Sequence, residues 1–170
     1  LPTMTVKGST MSAAYFLNDP FGGTYTYKSS KPKVASIAAD GTITAKKTGT
    51  TKITITIKRN EPYYKSIKVS ATLKVKIPSI SKRTANIKPG KSMTITVKNA
   101  TGPVTWTQDS HTNAATITPS ASTTKCTIRA GLNGGVTTVT ASLADGNTLR
   151  CTVIVKQLAK RKYDDTAIRA

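Results

Sequence analysis

Val34-Ala35-Ser36-Ile37 and, after a turn, Ile43-Thr44-Ala45 return further along the chain as Ala114-Ala115-Thr116-Ile117 and Ile128-Arg129-Ala130. Upstream of these stretches, Gly8 and Met11 answer to Gly90 and Met93, and Tyr27 answers to Trp106. Residues 6–45 and 88–130 therefore carry one set of landmarks in one order. A repeat of roughly 80 residues is long enough for a small β-sandwich and too long for one solenoid unit. The repeat predicts two domains, residues 1–78 and 79–157, followed by a polar tail or linker over 158–170.

The strands can be read from periodicity. Ile67, Val69, Ala71, Leu73, Val75 and Ile77 alternate with Lys68, Ser70, Thr72, Lys74 and Lys76. Ile53, Ile55 and Ile57 alternate with Lys52, Thr54, Thr56 and Lys58. Period two with one apolar side predicts strands with one buried face. Asp40-Gly41 and Asp145-Gly146-Asn147 mark turns, because Asp bonds its own backbone and glycine tolerates positive φ. The second half repeats the pattern with Met93, Ile95 and Val97, then Val139, Ala141 and Leu143, then Leu149, Cys151, Val153 and Val155. No window shows a capped helical stripe. The fold class predicted is all-β, two tandem sandwiches. Pro78 stiffens a short connection between them, with a nearly end-to-end arrangement expected.

Composition narrows the function classes. Of 170 residues, 37% are hydrophobic and only 5% aromatic, while 26 basic residues against 7 acidic ones leave a formal charge of +19. That charge is shared almost evenly, +10 on residues 1–78 and +9 on 79–170. Such a charge attracts polyanions in general. Lys outnumbers Arg by 20 to 6, and fork-shaped recognition of phosphates or bases favours Arg. Specific nucleic-acid readout is therefore not expected. No apolar run approaches the roughly 20 residues of a membrane span. The chain begins at Leu1, which leads to the expectation that it is a piece of a longer precursor.

Ser30-Lys31-Pro32-Lys33-Val34-Ala35-Ser36-Ile37, Asp40-Gly41-Thr42-Ile43-Thr44-Ala45, Gly49 and Ile53-Thr54-Ile55 together resemble the bacterial immunoglobulin-like domain of group 2, the module of invasin and intimin stalks. The second half departs from the pattern. Five extra residues separate Ile117 from Ile128, and Pro119-Ser120-Ala121-Ser122-Thr123-Thr124 replaces the Asp-Gly turn. The resemblance implies an extracellular or surface-attached, non-catalytic module from a bacterium of Gram-positive type, acting as a spacer or adhesive segment. It implies no cofactor and supplies no catalytic residues. The partners it implies are the neighbouring domains of a longer surface protein. The chain is expected to be monomeric.

His111 stands beside Asp109 and Ser110, but members of a catalytic triad converge from separate elements, so a surface-loop histidine is expected. One His and two Cys do not close a zinc site, and neither Asp-Gly turn gathers enough carboxylates for calcium. Cys126 and Cys151 share phase with Ile128 and Val153 and are expected in the core, with both a disulfide and two free thiols compatible with that placement. The first half folds without cysteine, which favours the reduced state. Tyr27 and Trp106 are expected as core aromatics. The candidate contact residues for an anionic cell-wall polymer or acidic glycan are Lys28, Lys52, Lys58, Lys68, Lys74 and Lys76, which strand phase puts on one outer face, together with Tyr63 and Tyr64 in the loop between the two most regular strands.

Overall fold

In a computed structural model of the chain, the structure describes residues 2–19, 22–59, 66–109 and 113–157. The chain divides into two compact units, Leu1–Pro78 and Ser79–Ala170.

The first unit contains β1 (Thr3–Met4), β2 (Thr10–Ser12), a 3-10 turn (Ala13–Phe16), β3 (Thr24–Ser29), β4 (Ala35–Ile37), β5 (Thr42–Ala45), β6 (Gly49–Lys58) and β7 (Ile67–Val75). One sheet runs β1-β7-β6-β3 and the other β2-β5-β4. The second unit contains β8 (Ser79–Ile80), β9 (Thr84–Ile87), β10 (Ser92–Lys98), β11 (Val104–Gln108), β12 (Ala115–Pro119), β13 (Lys125–Ala130), β14 (Gly135–Leu143) and β15 (Thr148–Val155). Its sheets run β11-β14-β15-β9 and β12-β13-β10-β8. In each unit a short early strand pairs parallel with the last strand, β1 with β7 and β9 with β15, while the other pairings are antiparallel. This strand order is that of an immunoglobulin-like sandwich.

Aliphatic side chains from the two inner faces fill each core. In the first unit Ile43, Ile53, Ile55, Ile57, Leu73 and Val75 are buried. In the second, Ile95, Ile128, Val139, Val153 and both cysteines are buried. Each fully buried Val, Ile or Leu contributes about 1.5–3 kcal/mol. A buried threonine recurs in each sandwich, Thr51 on β6 beside the end of β3 and Thr137 on β14 beside the end of β11. The Oγ1 of Thr51 accepts from Lys31 N (3.0 Å) and shares a hydrogen bond with the Ser29 hydroxyl (2.9 Å). The Oγ1 of Thr137 donates to Asp109 O (3.3 Å). Periodicity does not single these threonines out, because they replace an apolar residue on the inner face.

One detail differs from the strand reading, and a second distinguishes the two units. Ile67 lies in phase with the inner face of β7 but is 44% exposed. It sits at the start of β7, opposite Ile57, and the facing sheet has only three short strands to cover that end. The second detail is that β2 stops after three residues whereas β10 continues through Lys98. Ser-Ala-Ala has weaker strand preference than the Thr-Ile-Thr-Val of β10. The Ser12 hydroxyl accepts from Ala14 N (3.2 Å) and caps the 3-10 turn.

Candidate functional site

The outer face of the β1-β7-β6-β3 sheet is built by strand alternation. Since Ile53, Ile55 and Ile57 are buried, Lys52, Thr54, Thr56 and Lys58 point outward. Register carries this phase to the neighbours. Lys28 lies opposite Thr54, and Thr26 opposite Thr56. Lys68 lies opposite Thr56, Ser70 opposite Thr54, Thr72 opposite Lys52, and Lys74 opposite Thr50. Thr3 of β1 flanks Lys74 on the far side. Lys28, Lys52, Lys58, Lys68 and Lys74 are all exposed. Lys76 follows β7, is exposed, and donates its backbone N–H to Met4 O (2.8 Å). Tyr63 and Tyr64 lie outside the described residues, as does His111.

The outward side chains of this face are lysine, threonine and serine. No two lysines stand directly opposite each other; each has a hydroxyl residue as its cross-strand neighbour. Directly opposed like charges would destabilise the ladder. The lysines instead meet on diagonals. Lys28 is opposite Thr54, two residues from Lys52 on β6, and Lys74 is opposite Thr50, two residues from Lys52 on the other side. Lys28, Lys52 and Lys74 therefore form one oblique row across three strands, with steps of about 7–8 Å between backbone positions. Lys58 and Lys68 form a shorter diagonal parallel to it. The Thr54 and Ser70 hydroxyls, 3.1 Å apart, bridge β6 and β7 beside the row.

Among the described residues of the first unit, neither carboxylate lies on this face. Asp19 is bound by Arg59, with Nη2 to Oδ1 at 2.8 Å and Nη1 to Oδ2 at 3.1 Å. Arg59 also donates to Gly22 O, and the Tyr25 hydroxyl donates to Asp19 Oδ2 at 3.0 Å. Asp40 Oδ1 accepts from Thr42 N (2.8 Å) within its own turn, and that bond holds its carboxyl below the usual aspartate pKa. In the second unit Asp145 accepts from both the side chain and backbone of Asn147 (3.0 Å each) and is lowered likewise. No group of three His, Cys, Asp or Glu residues is placed to hold a metal ion among the described residues.

The equivalent face of the second unit has a different chemistry. Its outward residues are Thr105 and Thr107 on β11, Val136, Thr138, Thr140 and Ser142 on β14, Thr148, Arg150, Thr152 and Ile154 on β15, and Thr84 and Asn86 on β9. The lysine rows belong to the first unit alone among these two faces. Of the two core aromatics, Trp106 is buried and its Nε1 donates to Thr123 O (2.5 Å), whereas Tyr27 is half-buried and stacks against Tyr25 at 6.5 Å. Cys126 and Cys151 are both buried and free.

Residues 19–58 match the family model described as the intimin immunoglobulin-like domain. No curated protein matches. Among solved structures, domains 1–6 of the surface layer protein SbsC align at 24% identity and a TM-score of 0.40, covering 80% of this chain and 20% of that one. Domains 4 and 5 of the same S-layer protein align at 23% identity and a TM-score of 0.39, covering 86% and 78%. The human desmocollin-1 ectodomain aligns at 13% identity and a TM-score of 0.36, covering 93% and 40%. This chain thus spans about a fifth of the SbsC fragment named first. The immunoglobulin-like assignment of both units stands on their strand order, and the intimin-type pattern on residues 19–58.

Proposed function

We propose that this chain is a non-enzymatic spacer or adhesion segment of a secreted or cell-surface bacterial protein. The observation that carries this reading is the intimin-type match over residues 19–58, set in a sandwich whose strand order recurs in the second unit. Of the four described carboxylates, Asp19, Asp40 and Asp145 are engaged in an ion pair and two turns, which suits a structural module. Exchanging the chain, within its parent protein, for an unrelated immunoglobulin-like pair of equal length tests the spacer role. Retained surface display and retained attachment support it; lost attachment with intact display speaks for a specific contact instead.

One observation favours a second reading, a binding module for an anionic polymer or glycan. Five exposed lysines share the outer face of one sheet, with no carboxylate among its outward residues. Surface lysines also keep sheet edges from pairing, but Lys52 and Lys58 lie on β6, an interior strand of its sheet. Retention of the chain on immobilised heparin and on isolated cell wall is the test. Substituting Lys52, Lys68, Lys74 and Lys76 by Gln should lower the salt needed for elution; unchanged elution would remove this reading.

A further inference from the structure

We infer that the lysine face takes a linear polymer of polyol phosphodiesters, laid obliquely over Lys28, Lys52 and Lys74. The inference rests on the polyanion reading of that face and names its ligand class. The register makes these three lysines collinear across β3, β6 and β7, at steps of about 7–8 Å. In a 1,3-linked glycerol phosphate chain, six backbone bonds separate successive phosphorus atoms. A peptide residue contributes three backbone bonds and spans at most about 3.3–3.6 Å, so six bonds reach about 7 Å. The polymer's charge repeat therefore matches the lysine repeat without coiling or bunching.

The hydroxyl surroundings agree with a polyol. Thr50, Thr54, Ser70 and Thr72 flank the row and offer donors and acceptors to the hydroxyl groups between phosphates. A single strand of nucleic acid has a similar phosphate repeat, but its unstacked bases are held by aromatic platforms. The outward positions of β3, β6 and β7 carry lysine, threonine and serine and no aromatic ring. Lysine meets each phosphate as a point charge, which suits a flexible polyester better than fixed bidentate readout.

Binding of the full chain to poly(glycerol phosphate), oligo(dT) and heparin, measured across a salt series, tests the inference. Lys28→Gln/Lys52→Gln/Lys74→Gln removes the row. Lys33→Gln/Lys46→Gln/Lys47→Gln removes equal charge from the β3–β4 and β5–β6 connections. Unchanged melting curves establish that both variants are folded. The row variant is expected to bind poly(glycerol phosphate) at least about tenfold more weakly at ~0.15 M salt. Its slope of log affinity against log salt should fall by about 2, for three lost phosphate contacts on a single strand. The connection variant should lose less than about threefold, since none of its three lysines stands among the outward positions of β3, β6 and β7. Equal losses in the two variants would overturn the inference, and so would oligo(dT) binding as tight as poly(glycerol phosphate). Binding to heparin alone would overturn it while leaving the polyanion reading in place; binding to none of the three would end both.

Discussion

A methyl group on Gly41 would stand 2.9 Å from the Cζ of Tyr27. Gly41 is buried in the β4–β5 turn with φ +83°, and the tyrosine ring from β3 lies against it. The second unit solves the same problem with different residues. There Trp106 donates to Thr123 O, and Thr123, in the matching turn, holds φ 56°. Positive φ is uncommon for a β-branched residue. Thr123 is tied down by that bond and by Val104 N, which donates to its hydroxyl (3.2 Å).

Gly41→Ala is expected to destabilise the first unit by more than Gly146→Ala destabilises the second. Both glycines have positive φ, but nothing lies within 4 Å of a Cβ at Gly146. The Gly146 variant should lose about 1–2 kcal/mol from backbone strain alone, and the Gly41 variant the same plus the cost of moving Tyr27. Urea denaturation of the two variants measures the difference. Equal losses would mean that the Tyr27 ring yields freely.

Arg59→Met is expected to destabilise the first unit by about 3 kcal/mol, because it leaves the Asp19 carboxylate buried without its cation. The two side chains are only 13% and 4% exposed, so solvent does little to screen the pair. Adding Asp19→Asn to Arg59→Met should recover part of the loss. A double variant no more stable than the single one, by chemical denaturation, would show that Asp19 is solvated once Arg59 is gone.

Cys126 and Cys151 are expected to stay unmodified by a thiol reagent in the native chain and to react fully after denaturation without reductant. Burial pushes both thiols above their ordinary pKa, and the thiolate is the reactive form. Finding no reactive thiol in the denatured chain would show a disulfide.

Alkaline titration should weaken the first unit through Tyr25. Its hydroxyl donates to Asp19, and that bond, with desolvation and the Asp19 charge, raises its pKa above 10.0. A raised folded pKa gives stability that is fully present below the unfolded value and is lost as pH rises through the folded one. Tyr25→Phe should flatten the decline above about pH 10. Asp40 and Asp145 act at the other end of the scale: their lowered values give stability present above the ordinary carboxylate pKa and lost as pH falls through the folded one. Melting temperatures of parent and variant across pH check both signs.

The all-β class, the alternation of β6 and β7, the turn at Asp40-Gly41 and the outward phase of Lys52, Lys68 and Lys74 were legible in the sequence. Each depends only on neighbours one or two residues away, and the period of a strand is a local property. The repeat of Tyr27 as Trp106 was legible too, since it requires only comparison of the chain with itself. Which lysines become neighbours depended on register, and register is set by pairing between strands far apart in the chain. Lys28, Lys52 and Lys74 form a row because β3 and β7 flank β6 at particular offsets. The exposure of Ile67, the half-burial of Tyr27 and the enclosure of the Asp19–Arg59 pair were likewise decided by what the facing sheet and loops cover. Burial is a property of the assembled sandwich, so residues that share a phase within a strand part company where the opposite layer ends.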